Sequence, residues 1–383
     1  MSFPLLLALL DGVLTLNFRR AGNVSWFDVD LGSAIKAGES HKLRVSFLLT
    51  HVLQPLPAVV EQNEQQHVLF QGAVHMLSPY PSRKSSTEVK LASRKVLEYT
   101  ESEDLEPITQ SGTKLTYGPY NEVPANAFEP LTVHAANSAP FVTFTNVERE
   151  IEVSLWGNIA VEEFFTLKHT GAVLRDGLFS RIDYMKGQIG NSYRKLTGNL
   201  PAGARDVYYR DIIGNISTSN LRPGLDSSLL EIETRFPVFG GWNTEWYQGY
   251  NLPSEAVLTQ SQSTFRLEMP LAITFPDSVT DELVVKVVLP EGASNMQVQP
   301  VAGMHKVDEF SRFTYLDAVQ GRPVLEFKAT NLVKAHAGHL VVTFDMPPMA
   351  LLREPAMLIG TFLAMFLAGS VVSRVRLAVD SRQ

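Results

Sequence analysis

From Pro355 to Ser373 the chain runs nineteen residues without a charge, bounded by Glu354 and Arg374. At a helical rise of about 1.5 Å per residue this stretch reaches roughly 28 Å, the thickness of a bilayer's hydrocarbon core. Its centre, residues 357–369 (MLIGTFLAMFLAG), is apolar on every helical face, whereas the core helix of a globular domain keeps a polar side. A membrane-spanning helix over 355–373 is therefore expected. Arg374, Arg376 and Arg382 follow it against a single Asp380, while Arg353 before it is offset by Glu354. The excess of arginine places the tail, 374–383, on the cytosolic side and everything before the span across the membrane.

Composition narrows what that large part does. Lys and Arg number 33 against 40 Asp and Glu, a net charge of -7, and this balance argues against nucleic-acid binding. The chain has no cysteine, which excludes disulfide scaffolds, thiolate zinc sites, iron–sulfur clusters and cysteine nucleophiles. With 383 residues and domains of roughly 150, two domains before the span are expected. A mean hydropathy of +0.00 is high for a soluble chain, and the apolar span raises it.

Strand signals dominate the remainder. Leu43, Val45, Phe47 and Leu49 alternate as a half-buried strand requires, and so do Val142 with Phe144 and Ile151 with Val153 and Leu155. Residues 283–289 (LVVKVVL) form a β-branched run closed by a Pro-Glu-Gly turn, and 339–346 ends similarly at Pro347-Pro348. The expected fold class is mainly β: two sandwich-like domains, 1–150 and 151–350, ahead of the one helix. Residues 102–130, rich in Pro, Glu and Asn, are expected to be a long loop. Near the N-terminus the apolar run 3–10 is preceded by no basic residue and interrupted by Asp11. It reads either as a poor secretory signal or as part of a buried strand over 3–16.

Catalytic motifs are scarce. There is no GxxxxGK[ST], GxGxxG or GxSxG pattern. Asp28 and Asp30, at i and i+2 on a strand, would point the same way and can share a cation, but a solvated strand edge carries the same letters. His336 and His339 offer two metal ligands without a third, which favours a solvated loop before a strand. The pairs Glu162-Glu163, Asp281-Glu282 and Asp308-Glu309 are adjacent, so in strands their members face opposite sides. Two glycosylation acceptors are present, Asn23-Val-Ser25 and Asn215-Ile-Ser217, of which Asn215 is favoured because it follows turn-like Ile213-Gly214. Residues 235–250 hold six aromatics, either a stacking surface for sugar or peptide or two core strands joined at Gly240-Gly241. In the span, Gly360, Ala364 and Ala368 recur every four residues and suit close packing against a partner helix, or simply face lipid.

Several long segments resemble the ribophorin I family: 152–163 (EVSLWGNIAVEE), 167–174 (LKHTGAVL), 206–219 (DVYYRDIIGNISTS) and 235–254 (RFPVFGGWNTEWYQGYNLPS). Shorter matches are SPYP at 78–81, VKLASR at 89–94, LPEGA at 289–293 and LLREP at 351–355, so the resemblance covers roughly 40–373. It implies a subunit of the oligosaccharyltransferase of the endoplasmic-reticulum membrane. That complex transfers a preassembled glycan from dolichyl diphosphate to Asn of Asn-x-Ser/Thr in nascent proteins. The implied role is non-catalytic, in assembly and substrate presentation. The chemistry, with its metal and its WWDYG motif, belongs to another, many-spanning subunit. No catalytic residue, metal ligand or cofactor site is then expected in this chain. Implied partners are the other subunits, the protein-conducting channel, nascent polypeptides and the lipid bilayer. The glycosylated asparagine of the family's Gly-Asn-x-Ser context maps onto Asn215. Against the family pattern, the first domain is expected to be incomplete at its N-terminus. Two rivals stand beside this reading: a free-standing type I adhesion or cargo receptor, and a glycosyltransferase using Asp28 and Asp30.

Overall fold

A computed structural model describes the chain apart from residues 1–8, 11–14, 22–23, 31–33, 47, 188–190, 272–274, 276–277, 300, 302, 315–316, 318–319, 337 and 375–383. For the strands within the first thirty residues and for Leu351 it describes only the backbone. The fold is mainly β, closed at the C-terminal end by one long apolar helix.

Two sheets enclose a first core. The strands Leu53–Pro55, His67–Ala73, Pro130–Ala136 and Val96–Tyr99 form one, and Ile108–Ser111, Lys114–Val123 and Ser82–Lys90 the other. Between them Leu115, Tyr117, Leu131, Val133 and Val74 are almost wholly buried. Residues 102–130 are thus no long loop. They contain the Ile108–Ser111/Lys114–Val123 hairpin, because Leu115 and Tyr117 alternate inward and, past a register shift, Tyr120 and Val123 return to the core side, which outweighs the surrounding Pro, Glu and Asn. The alternation at 43–49 misleads in the opposite sense. Leu43, Val45, Leu48 and Leu49 are exposed, Phe47 lies outside the described residues, and among the described residues of this segment only Val45–Ser46 pairs, with Leu9–Leu10. Period two marks a strand only where a sheet face is present to receive it.

The chain leaves the first core over 137–141 and enters a larger one with the strand Val142–Val153, in which residue 150 lies. This strand sits near the middle of an eight-stranded sheet, antiparallel to Asn158–His169 and parallel to Val279–Val288. Two smaller sheets share the same core. Leu230 and Ile232 come from one, Leu267, Val342 and Phe344 from the other, and they meet Phe144, Ile151, Val161 and Phe327 of the wide sheet. Each large apolar side chain so buried contributes roughly 1.5–3 kcal/mol.

The aromatic segment 235–250 is a corner of this sandwich. Ser227–Phe239 belongs to the three-stranded sheet and Asn243–Pro253 to the wide one, with Phe239, Trp246 and Tyr250 buried. Gly240 and Gly241 are needed to cross between them. A Cβ on Gly240 would lie 1.7 Å from the Ala172 carbonyl oxygen, and Gly241 has φ +83°.

Candidate functional site

The acceptor asparagine stands on a tight hairpin between Arg205–Asp211 and Gly214–Asn215. Asp211 Oδ1 accepts from the Ile213 and Gly214 amides at 2.9 and 3.0 Å, which fixes the turn. Arg235 forks onto the Asp211 carboxylate and also donates to the Gly214 and Asn215 carbonyls at 3.2 and 3.1 Å. The Arg235 guanidinium holds the Asp211 carboxyl below the usual carboxylate range. Arg210 Nε donates to Asn215 Oδ1 at 2.9 Å. The amide is thereby oriented, while Asn215 itself is exposed and buried Ile216 anchors the strand beneath it. Ile212 and Ile213 stand at the tip of the same hairpin, 90% and 78% exposed. The second acceptor, Asn23, and the side chains of Asp28 and Asp30 lie outside the described residues.

The apolar helix Arg353–Arg374 emerges from the opposite end of the large sandwich. The last strand, His339–Asp345, reaches it through Met346 and a 3-10 turn, Pro348–Leu352, and both Met346 and Ala350 are buried in the sandwich core. Beyond its first turn the helix is exposed except at half-buried Met357 and Ser370, and it is long and apolar enough to cross a membrane. Gly360, Ala364 and Ala368 lie along its exposed length, and nothing approaches within 4 Å of a Cβ built on Gly360.

The interior holds polar groups that sequence patterns did not single out as a site. Arg149 faces Glu163 across the register, 3.3 Å apart and both nearly excluded from water. Glu163 also accepts from Gln248 at 2.8 Å, and Arg149 donates to the Tyr250 hydroxyl at 2.9 Å and the Pro270 carbonyl at 2.8 Å. The neighbouring Glu162 points outward and accepts from Tyr208 at 2.7 Å, as the adjacency of the pair demands. Elsewhere, His169 accepts from the Gly171 amide at its Nδ1, and burial lowers its pKa to about 4. Arg149, Glu163 and His169 are committed to their neighbours inside the sandwich, while Glu162, Tyr208 and Tyr250 also line a cavity of about 200 Å³.

His336 is not solvated. It is buried in a 3-10 turn, its Nδ1 accepts from the Val333 amide at 3.1 Å, and burial lowers its pKa, while His339 opens the next strand exposed. Among the described residues no three His, Asp or Glu stand together as a metal would require.

A family profile described as Ribophorin I matches residues 13–373. Among curated proteins, subunit 1 of dolichyl-diphosphooligosaccharide–protein glycosyltransferase from Caenorhabditis elegans is 39% identical over 360 residues, 93% of this chain and 61% of its own length. Subunit 1A from Arabidopsis thaliana is 35% identical over 94% of this chain and 58% of its own, and subunit 1B from Oryza sativa subsp. japonica 36% over 89% and 72%. The chain thus spans about three-fifths of the first two relatives' length. Among solved structures, an M1 zinc metallopeptidase from Deinococcus radiodurans aligns with 53% of this chain and 42% of its own at 10% identity and a TM-score of 0.31, too slight a likeness to bear on function.

Proposed function

Because the chain belongs to the ribophorin I family, we propose that it is a non-catalytic, single-pass subunit of the oligosaccharyltransferase of the endoplasmic-reticulum membrane. The observation that carries this reading is the run of relatives named as subunit 1 of that transferase, 35–39% identical over about nine-tenths of the chain. The long exposed apolar helix supports a single membrane crossing. In this reading the two β cores are luminal domains and the residues after Arg374 are cytosolic. The neighbours are the other subunits, the catalytic one among them, together with the bilayer, the protein-conducting channel and nascent polypeptides. No cofactor is bound by this chain. Asn215 carries a glycan, for which its oriented, exposed amide is suited, and Gly360, Ala364 and Ala368 pack against a partner helix.

The test is to tag the C-terminus, solubilise membranes in mild detergent and assay transfer of lipid-linked glycan to an Asn-x-Thr peptide. Co-purification of a many-spanning glycosyltransferase with activity is expected. Recovery of the chain alone and inactive would overturn the subunit reading.

A further inference from the structure

The loops at one end of the large sandwich gather round the root of the helix. Val142–Val153 and Val279–Val288 run parallel, so both finish at this end. Arg322–Leu332, antiparallel to the latter, begins there, and Met304–Arg312 finishes there with Arg312 opposite Arg322. Four large apolar side chains stand out from this rim: Trp156 is 64% exposed, Phe313 64%, Met349 73% and Leu352 55%.

The helix root is built into that rim and not tethered to it. Arg353 lies against the turn at Gly292, where a Cβ would come 3.2 Å from its Nη1, and reaches Gln320 Oε1 at 3.5 Å. Gly321, the next residue, packs on the Phe313 ring, which an added Cβ would meet at 3.3 Å. Trp156 lines the same small cavity, about 50 Å³, as Arg353 and Glu354. The uncharged run starts at Pro355, a helical rise of about 3 Å beyond Arg353. The hydrocarbon boundary consequently falls within about one helical turn of Arg353, and the headgroup layer, several ångströms deep, covers the level of this rim. Trp with a nearby Arg is what that layer favours, the ring sitting among headgroups and the guanidinium reaching to water, and Phe joins Trp on the lipid-facing side of surface-lying elements.

The geometry points to a lipid-seated sandwich: Trp156 and Phe313 insert into the luminal headgroup layer beside the span, so that the domain rests on the bilayer at a fixed angle. This rests on the membrane-spanning reading of Arg353–Arg374. A lipid surface fits better than a protein partner because the four exposed side chains all lie at the root of the apolar helix: Met349 and Leu352 in the turn that leads into it, Trp156 on the cavity it shares with Arg353, and Phe313 on Gly321 beside the Gln320 that Arg353 reaches. The seat would hold the hairpin of Asn215 away from the membrane. Asp211 pairs with Trp246, seven residues along its strand from Pro253 at the rim, roughly 23 Å.

A chain without cysteine makes the test direct. Single-cysteine variants Trp156→Cys, Phe313→Cys, Ile212→Cys and Leu363→Cys of the full chain carry an environment-sensitive fluorophore. They are reconstituted in phosphatidylcholine vesicles holding spin-labelled lipids with shallow or deep quenchers. Retention of the parent's unfolding temperature shows that each is folded, and Met349→Cys replaces Trp156→Cys if that variant is not. Positions 156 and 313 are expected to be quenched severalfold more than 212 by the shallow quencher, and 363 by the deep one. Quenching at 156 and 313 no greater than at 212, with 363 still quenched, would overturn the seat and leave the span standing. An unquenched 363 would overturn both.

Discussion

At the scale of single residues, the side chains that matter most energetically are those whose environment a linear reading cannot see. His169 is an example: it is wholly buried, stacked on Tyr193, and held neutral. Its pKa falls from 6.5 in the unfolded chain to about 4 in the fold. The stability tied to its neutral form is therefore complete above pH 6.5. It drains away as the pH falls towards 4, by roughly 3 kcal/mol at full extent. Burial shifts His67 and His336 the same way, so the slope is shared. His169→Gln in detergent solution is expected to lose less unfolding temperature between pH 6.5 and 4.5 than the parent does; an unchanged slope would rule His169 out as its source. Asn215 is the opposite case, legible as a motif from three letters of sequence. Asn215→Gln should lower the chain's mass by one glycan and abolish the gel shift on deglycosylation at that site, with stability changed by about 1 kcal/mol through the lost Arg210 contact. A shift that persists undiminished would place the glycan elsewhere.

At the scale of elements, the strands with β-branched runs or clean alternation, 142–153, 279–288 and 339–345, were legible because the wide sheet receives one face of each. Pairing was not legible. Nothing local says that Val142–Val153 takes a parallel neighbour more than a hundred residues away, or that Ile108–Ser111 folds back on Lys114–Val123. The aromatic corner was half legible, since Gly-Gly signals a turn but not a change of sheet. Gly240→Ala would drive a Cβ into the Ala172 carbonyl, so a loss above about 3 kcal/mol is expected. Gly112→Ala, at φ +63° with open space around it, should cost about 1 kcal/mol. Equal costs measured by denaturant unfolding would refute the steric argument. In the helix, Gly360→Leu with Ala364→Leu should reduce co-purification of partner subunits while leaving membrane insertion intact, as bulk on a packing stripe separates helices. Unchanged recovery would assign that face to lipid.

At the scale of the whole molecule, the question is what joins the two cores. A strap, residues 58–66, leaves the first and lies along 169–180 of the second. Val59–Val60 pairs in parallel with Val173–Leu174, and Gln62 and Ser180 exchange bonds of 2.7 and 3.0 Å. Its anchor is Gln66, fully buried: Oε1 accepts from the Ala172 amide at 2.7 Å and from Asn191, and Nε2 donates to the Asn137 carbonyl at 2.9 Å. Two further polar ties, Glu61 to Arg175 at 3.0 Å and His51 to Asp281 at 2.8 Å, are open to water and worth at most about 1 kcal/mol each. No spacing in the sequence could have foretold Gln66, whose partners lie 71 to 125 residues away. Yet removing it strands a buried amide and a carbonyl at once, each costing about 1–3 kcal/mol. Because those groups sit between the cores and not within either, the loss falls on their coupling. Gln66→Leu should therefore split calorimetric unfolding of the detergent-solubilised chain into two transitions, the smaller core melting first. A single transition lowered as a whole would mean that the strap belongs to one cooperative unit with both cores, and that the junction at 137–141 is a bend within a domain.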